Sequence, residues 1–397
     1  LPTNLGGLQG IGRVDIWKKM KNNEINNKYW YNLPERLIAQ EPANPRDSSK
    51  LLVYDTQKNE LIIDSFFNLA TYLPPSTALT LNDAKVVPAR ITLTKETGGK
   101  IVVLFLINEW ISTKQGPIPC FLDRRGRVGD RLYFADKSFV TIQRQEEGLF
   151  YVTWAGEPND LLNKLDSYGT MPIPPYIKHS PLSRDELLEK YQTVFAQKPG
   201  SSAAPTASLH FTPRVFENLE KKGIKKQYIT LHVGPGTFAP LTSENLRTKT
   251  LHHETYEIQE DIVRCIDTSK RKEIDITAVG TTVVRTLESV ALKIGDYRLD
   301  SRLSTKGQSP FGRRGNDTDS TNISLTGSTD LFISPPFEFK VINHLITNFH
   351  LPGSSLMMLV DAFLASKNAK MRILDLYAFA IKNELRFYSF GDVMFIL

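Results

Sequence analysis

The sequence predicts an α/β main domain with an all-β barrel domain inserted in it. Three observations lead there. At 397 residues the chain exceeds what one hydrophobic core ordinarily organises, so two domains are expected. Residues 86–154 read as short β-branched and aromatic runs broken by turns, without a helical period. Beyond residue 161, strand-like and helix-like segments alternate, the texture of strands covered by helices.

In the first region the runs are VVPARITL, KIVVLFLINEWI, GDRLYFAD, FVTIQRQ and LFYVTWA, separated by glycine-bearing turns such as TGGK and DRRGRVGD. Closing them into a small barrel removes exposed strand edges. The barrel domain is placed at 81–154, and the α/β domain at 29–80 and 155–397. TMPIPPYI is a proline-stiffened linker, and SRDELLEKYQTVFA is a helix capped by Ser183. FTPRVFENLEKKG is an amphipathic helix ending at Gly223. QYITLHV and IDITAVG are strands, while DIVRCIDTSKRKE and TVVRTLESVALKIG are helices. Residues 299–328 are rich in Ser, Thr, Gly and Asn and are expected to be an exposed, disordered insertion. Two further helices are expected from about Ser354 to Ser366 and around MRILDLYAFAIKNEL, before the closing RFYSFGDVMFI. Residues 1–28 form an expected poorly ordered extension, with Met20 as the expected natural start.

Composition narrows the function classes. A hydrophobic share of 41% with 23% charged residues is that of a folding globular chain and excludes a disordered or fibrous one. Cys120 and Cys265 are the two cysteines, too few for a disulfide framework, so the cytoplasm is the expected compartment. The net charge of +6 favours a polyanionic partner without requiring one. The most apolar stretch, residues 101–111, is interrupted by Asn108 and Glu109, and no membrane span is expected.

LHVGPGTFA at 231–239 satisfies the glycine pattern of a dinucleotide loop after a strand. That loop must open directly into a helix whose N-terminus meets the phosphates, whereas here Pro240 intervenes and helical signal resumes near Thr242. Pro235 between the glycines also removes one N–H donor. A nicotinamide-dependent oxidoreductase is therefore the weaker reading. His252, His253 and Glu254 are adjacent; on a strand His252 and Glu254 share a face and His253 points away, but no metalloprotease-type spacing exists and no metal is expected. Gly280, Thr281 and Thr282 stand between a strand and a helix, a donor-rich N-terminus with Arg285 one turn inside that can pair with an anion or with Glu288.

Ten stretches, taken together, identify a family. YNLPERLIAQEP, RDSSKLLVYD, LNDAKVVPAR, YGTMPIPPYI, AAPTASLHFT, LHVGPGTFAPL, LHHETYEI, AVGTTVVRTLES, TDLFISPPFEFKVINHLITNFHLPGSSLMMLVDAF and RFYSFGDVMFI, in this order over about Tyr29 to Ile396, resemble the S-adenosylmethionine:tRNA ribosyltransferase-isomerase family of queuosine biosynthesis. The resemblance implies transfer and isomerisation of the ribosyl part of S-adenosylmethionine onto 7-aminomethyl-7-deazaguanine at the tRNA wobble position. The implied products are epoxyqueuosine-tRNA, adenine and methionine. S-adenosylmethionine is then a consumed cosubstrate, the tRNA is the partner, no metal takes part, and a monomer is expected.

For that chemistry the candidates for base and acid are His210, His232, His252, Glu254 and His350, with individual roles unassigned. Gly234 and Gly236 allow close backbone approach to ribose or adenine, with Thr237 beside them. Gly280, Thr281, Thr282 and Arg285 are candidates for holding the methionine carboxylate, and Thr206 and Asn348 for orienting the substrate. Arg46, Lys85, Arg90 and Arg386 are candidates for tRNA phosphates. Phe211, Phe238 and Phe349 are candidates for stacking on the deazaguanine. The chain departs from the family pattern at Ser208 and Pro336, where glycines are usual, at Asp361, where a small polar residue is usual, and in the 299–328 insertion. A catalytically impaired tRNA-binding relative is thus the second reading.

Overall fold

The computed structural model describes residues 28–146, 148–234, 241–270, 274–301, 312–314 and 324–397. The expected extension, apart from residue 28, lies outside these residues, as do Gly236, Thr237 and Phe238.

Along the chain, β1 (Lys50–Asp55) and β2 (Glu60–Ser65) form a hairpin, a short helix α1 (Leu69–Tyr72) follows, and β3 (Thr77–Asn82) enters the middle of the large sheet. All six residues of β3 are buried, as a strand covered on both faces requires. Residues 81 and 82 thus belong to the large sheet, correcting the expected barrel boundary. After β4 (Ala84–Val86) come β5 (Arg90–Lys95) and β6 (Lys100–Phe105), helix α2 (Ile107–Thr113), and then β7 (Ile118–Leu122), β8 (Arg131–Tyr133), β9 (Phe139–Glu146) and β10 (Leu149–Trp154). The six strands β5 to β10 close into an antiparallel barrel. Its inward positions alternate: Ile91 and Leu93 on β5, and Ile101, Val103 and Phe105 on β6, are at most 5% exposed. The run expected as one strand to Ile111 turns helical at Ile107. Its apolar residues Ile107, Trp110 and Ile111 fall at i, i+3 and i+4, so helical winding carries all three to the barrel core.

Helix α3 (Pro158–Tyr168) closes the barrel with Leu161 and Leu165. Then come α4 (Arg184–Lys190), with a complete capping box between Ser183 and Glu186, β11 (Lys198–Ser201), which pairs with β4, and α5 (Pro213–Lys221), capped by Thr212. The remaining elements are β12 (Lys225–Leu231), α6 (Ser243–Thr248), β13 (Thr250–Gln259), α7 (Glu260–Lys270), β14 (Asp275–Val279), α8 (Thr281–Ser301), β15 (Gly312–Arg314), β16 (Ser324–Leu331), β17 (His344–Asn348), α9 (Ser355–Ser366), α10 (Ile373–Lys382) and β18 (Val393–Ile396). Residues 324–328, expected within a disordered insertion, form most of β16. They pair with β13 from Ser324 against Gln259 to Ser328 against Thr255, a sheet partner that local composition does not reveal.

The ten-stranded sheet runs β15, β16, β13, β12, β3, β14, β17, β18, β1, β2. Its centre, β12 to β17, is parallel; β13 and β18 flank that centre antiparallel to it. Consequently the carboxyl ends of β12, β3, β14 and β17 open on the same edge as the amino ends of β18 and β1. Among the described residues no helix is long and apolar enough to cross a membrane.

Candidate functional site at the carboxyl ends of the parallel strands

Open α/β sheets bind ligands just beyond the carboxyl ends of their strands. Here the residues at that edge are Asn82, His232 to Gly234, Gly280 to Thr282, and Asn348 to His350. The segment 201–210 lies across them. The Ser202 N–H donates to the Val233 carbonyl at 3.0 Å, and the Val233 N–H donates to Ser201 Oγ at 3.1 Å. Ala207 Cβ approaches Gly280, Thr206 Oγ1 donates to Asn348 Oδ1 at 2.8 Å, and His210 Nδ1 meets Ser49 Oγ at 2.8 Å beside β1. One segment therefore touches strand ends from β12 to β1.

Gly280 has φ +91°, a conformation costly for any side chain. It turns the chain from β14 into α8 while its N–H donates to Ile346 O at 2.8 Å. Asn82, wholly buried, donates Nδ2 to Leu231 O at 3.0 Å and accepts the Leu231 and Ala84 N–H groups at Oδ1, fastening the ends of β12 and β4 together. Sequence reasoning did not single it out; its signal is a polar residue closing the apolar run of β3. Asn108 was also missed. It is 7% exposed on α2 of the barrel, and its Nδ2 would lie 3.8 Å from a Cβ on Gly234, so the inserted domain reaches this edge.

Glu254 and Arg285 form a buried ion pair through Glu254 Oε2 and Arg285 Nη1. Glu254 Oε1 accepts the Gly234 N–H at 3.1 Å, and Arg285 Nε donates to Leu331 O at 3.1 Å. The pair thus ties the end of β12 to the first turns of α8 and to β16. Arg285 was expected to pair with an anionic ligand or Glu288; instead Glu254 holds it, and Glu288 caps the backbone N–H groups of Lys340, Val341 and Ile342. His252 is exposed where Glu254 is buried. The β13–β16 register shifts between Thr250 and Glu254, and His252 and His253 are both exposed.

Four buried polar atoms at this edge have no hydrogen-bond partner among the described residues: Ser208 Oγ, His210 Nε2, Asn348 Nδ2 and Arg285 Nη2. Each such atom costs about 1–3 kcal/mol unless a polar group meets it, and the four lie along the strand-end edge, from Arg285 beside β13 and β16 to His210 beside β1. Ser208 sits in the turn Thr206–Ser208 without a positive φ, so no backbone strain accompanies its replacement of glycine. Asp361, the other substituted position, is fully partnered by Tyr29 Oη at 3.0 Å and Arg372 Nε at 2.9 Å. Among the described residues no three His, Cys, Asp or Glu side chains gather to hold a metal ion.

Burial pushes His210 down to about 3 and does the same to His350, whose Nε2 meets Thr347 Oγ1 at 2.8 Å. Both imidazoles are therefore uncharged at neutral pH. Unfolded, each titrates near 6.5, so between that pH and about 3 the unfolded chain binds more protons and stability falls as pH is lowered. The expected result is a urea midpoint that is flat above pH 7 and declines below about 6.5. His210→Asn is expected to reduce that slope by up to about 1.4 kcal/mol per pH unit; an unchanged slope contradicts the assignment.

The four tRNA candidates separate. Arg46 donates to the carbonyls of Gln192 at 2.5 Å and Glu189 at 2.8 Å, Arg386 bonds Glu41 O at 3.2 Å beside Asp392, and the Nε of Arg90 is buried. Lys85 alone among them is exposed. Phe211 and Phe349 are wholly buried and belong to the core, so neither presents a face for stacking.

A parallel-centred sheet with helices and an inserted closed six-stranded barrel defines the class, an α/β protein carrying an all-β barrel. The model of a family described as queuosine biosynthesis protein matches residues 26–396. The chain is 40% identical to the S-adenosylmethionine:tRNA ribosyltransferase-isomerase of Carboxydothermus hydrogenoformans, across 92% of this chain and 98% of that protein. It is 38% identical to the protein so named in Caldanaerobacter subterraneus, across 95% and 100%. A solved S-adenosylmethionine tRNA ribosyltransferase from Thermotoga maritima aligns at 30% identity and TM-score 0.48, across 93% of this chain and 100% of that one. The chain belongs to the queuosine biosynthesis protein family.

Proposed function

We propose that this protein is an S-adenosylmethionine:tRNA ribosyltransferase-isomerase. It moves the ribosyl group of S-adenosylmethionine onto 7-aminomethyl-7-deazaguanine at the wobble position and releases adenine and methionine. The observation that carries this reading is the family match over nearly the whole chain, joined to four unpartnered buried polar atoms along the strand-end edge. S-adenosylmethionine suits such an edge. Its carboxylate, adenine and ribose hydroxyls offer acceptors and donors to Arg285 Nη2, Asn348 Nδ2, Ser208 Oγ and His210 Nε2.

The charge balance suits it too. A sulfonium cation is repelled by imidazolium, and both His210 and His350 are held neutral. The sulfonium acidifies the adjacent ribose carbon, so the first step needs a proton acceptor, and adenine departure needs a donor. His232 is the side chain proposed for proton transfer. It is half-buried at the end of β12, and Gly200 at φ +137° lets the backbone pass so close that a Cβ there would sit 3.2 Å from the ring. Glu254, engaged through both oxygens, is proposed to position Gly234 and α8. The compartment proposed is the cytoplasm, where tRNA is modified, and the protein is proposed to act as a monomer.

Single-turnover incubation with S-adenosylmethionine and tRNA carrying 7-aminomethyl-7-deazaguanine is expected to release one adenine per modified tRNA. Absence of adenine with a tRNA that nevertheless binds would replace this reading by that of an impaired relative.

A further inference from the structure

We propose that the loop joining β7 to β8, at the barrel end remote from the strand-end site, is a second docking surface for the substrate tRNA and grips phosphates away from the modified base. The proposal rests on the functional reading above. The loop, DRRGRVGD followed by Arg131, exposes Arg124, Arg125, Arg127 and Arg131, and Lys100 of the neighbouring hairpin is exposed on the same end. Acidic residues are close by, each with an oxygen already engaged. Asp123 accepts the Val102 N–H at 2.7 Å, Asp130 accepts the Arg127 N–H at 2.9 Å, Glu96 accepts from Tyr133 Oη at 3.2 Å, and Glu146 pairs with Arg144 at 2.8 Å. Among the described residues Arg125, Arg127 and Lys100 have no carboxylate partner, Arg124 lies 3.6 Å from Asp123, and Arg131 lies over the Phe139 ring at 4.8 Å.

The loop is also fixed in place. Gly129 N–H donates to Ile142 O at 2.8 Å, the Ile142 N–H donates to Asp130 O at 3.0 Å, and Lys95 Nζ donates to the Arg125 carbonyl. A cationic loop already held by its neighbours binds without the ordering cost of a free one. Guanidinium forks match phosphate oxygens, and the family's substrate is a polyanion of which the reacting base is a small part.

Register sets the distance. From Lys100 to Phe105, just before α2 brings Asn108 to Gly234, β6 spans five residue steps, about 17 Å. The loop therefore lies on the order of 20 Å from Gly234, and contacts nucleotides beyond the one being modified.

The test compares the full chain, Arg125→Gln/Arg127→Gln, and a control of equal charge loss, Lys58→Gln/Arg264→Gln, for tRNA binding across salt concentrations. The loop variant is expected to bind tRNA roughly tenfold more weakly near 0.15 M salt, with its log affinity against log salt flattened by about 1.4–1.8. Its kcat should be unchanged, and the control should match the parent. An unflattened slope overturns the proposal, as does a control that behaves like the loop variant. Binding of the parent to phosphatidylserine vesicles, lost in the loop variant while tRNA affinity stays unchanged, assigns the loop to a membrane and also overturns it. Failure of the parent to release adenine bears on the functional reading instead, because the binding comparison is made without turnover.

Discussion

Replacing Arg285 by Met is expected to destabilise the protein by about 3–5 kcal/mol, because the Glu254 carboxylate stays buried and loses its counter-charge. Glu254 is 3% and Arg285 7% exposed, so water cannot take the place of the missing partner. The size of the loss would reflect the stranded charge more than the worth of the pair. The double variant Glu254→Gln/Arg285→Met should therefore recover much of it: the glutamine amide oxygen still accepts the Gly234 N–H, and no charge remains buried. Urea unfolding of the parent, the two single variants and the double variant measures this directly. A double variant no more stable than Arg285→Met would show that the guanidinium acts mainly through Leu331 and packing.

The double variant Thr206→Val/Asn348→Leu should move stability and activity in different directions. In the folded chain Asn348 receives the Thr206 hydroxyl at Oδ1 and leaves Nδ2 buried without a partner. Exchanging both partners for apolar side chains of similar shape removes that bond and the orphaned donor together, so stability is expected within about 1 kcal/mol of the parent, or above it. Adenine release should slow by about 10²-fold or more, the usual consequence of deleting an oriented donor in a dry site. Such a separation marks a group kept for its ligand at the expense of the fold. If release stays within about twofold of the parent, Asn348 is not a substrate contact.

Much of the architecture was legible because periodicity is local. The alternation in β5 and β6 and the 3.6-residue spacing in α5 and α8 follow from which residues are apolar, and caps such as Ser183 and Thr212 mark helix starts. The stretch at Ile107 escaped because a short apolar run satisfies strand and helix periods alike. β16 escaped because its stabilising partner, β13, is about seventy residues earlier in the chain. The strand-end site was legible as a set of segments but not as contacts. No local signal tells that Ser49 meets His210, that Asn108 arrives from the barrel, or that Glu254 and Arg285 satisfy each other. The exposure of His252 two residues before the buried Glu254 has the same origin: the β13 register shifts between Thr250 and Glu254, and that shift is set by the pairing with β16.

The central claim is that three separate strand ends and the segment crossing them hold S-adenosylmethionine. Amide hydrogen exchange with and without that ligand tests it most directly. Bound S-adenosylmethionine is predicted to slow exchange together in residues 201–210, 231–234, 278–283 and 346–351, with little change at the opposite edge of the sheet around 55–60 and 223–226. Protection at that opposite edge, or confined to one of the four segments, would contradict the account.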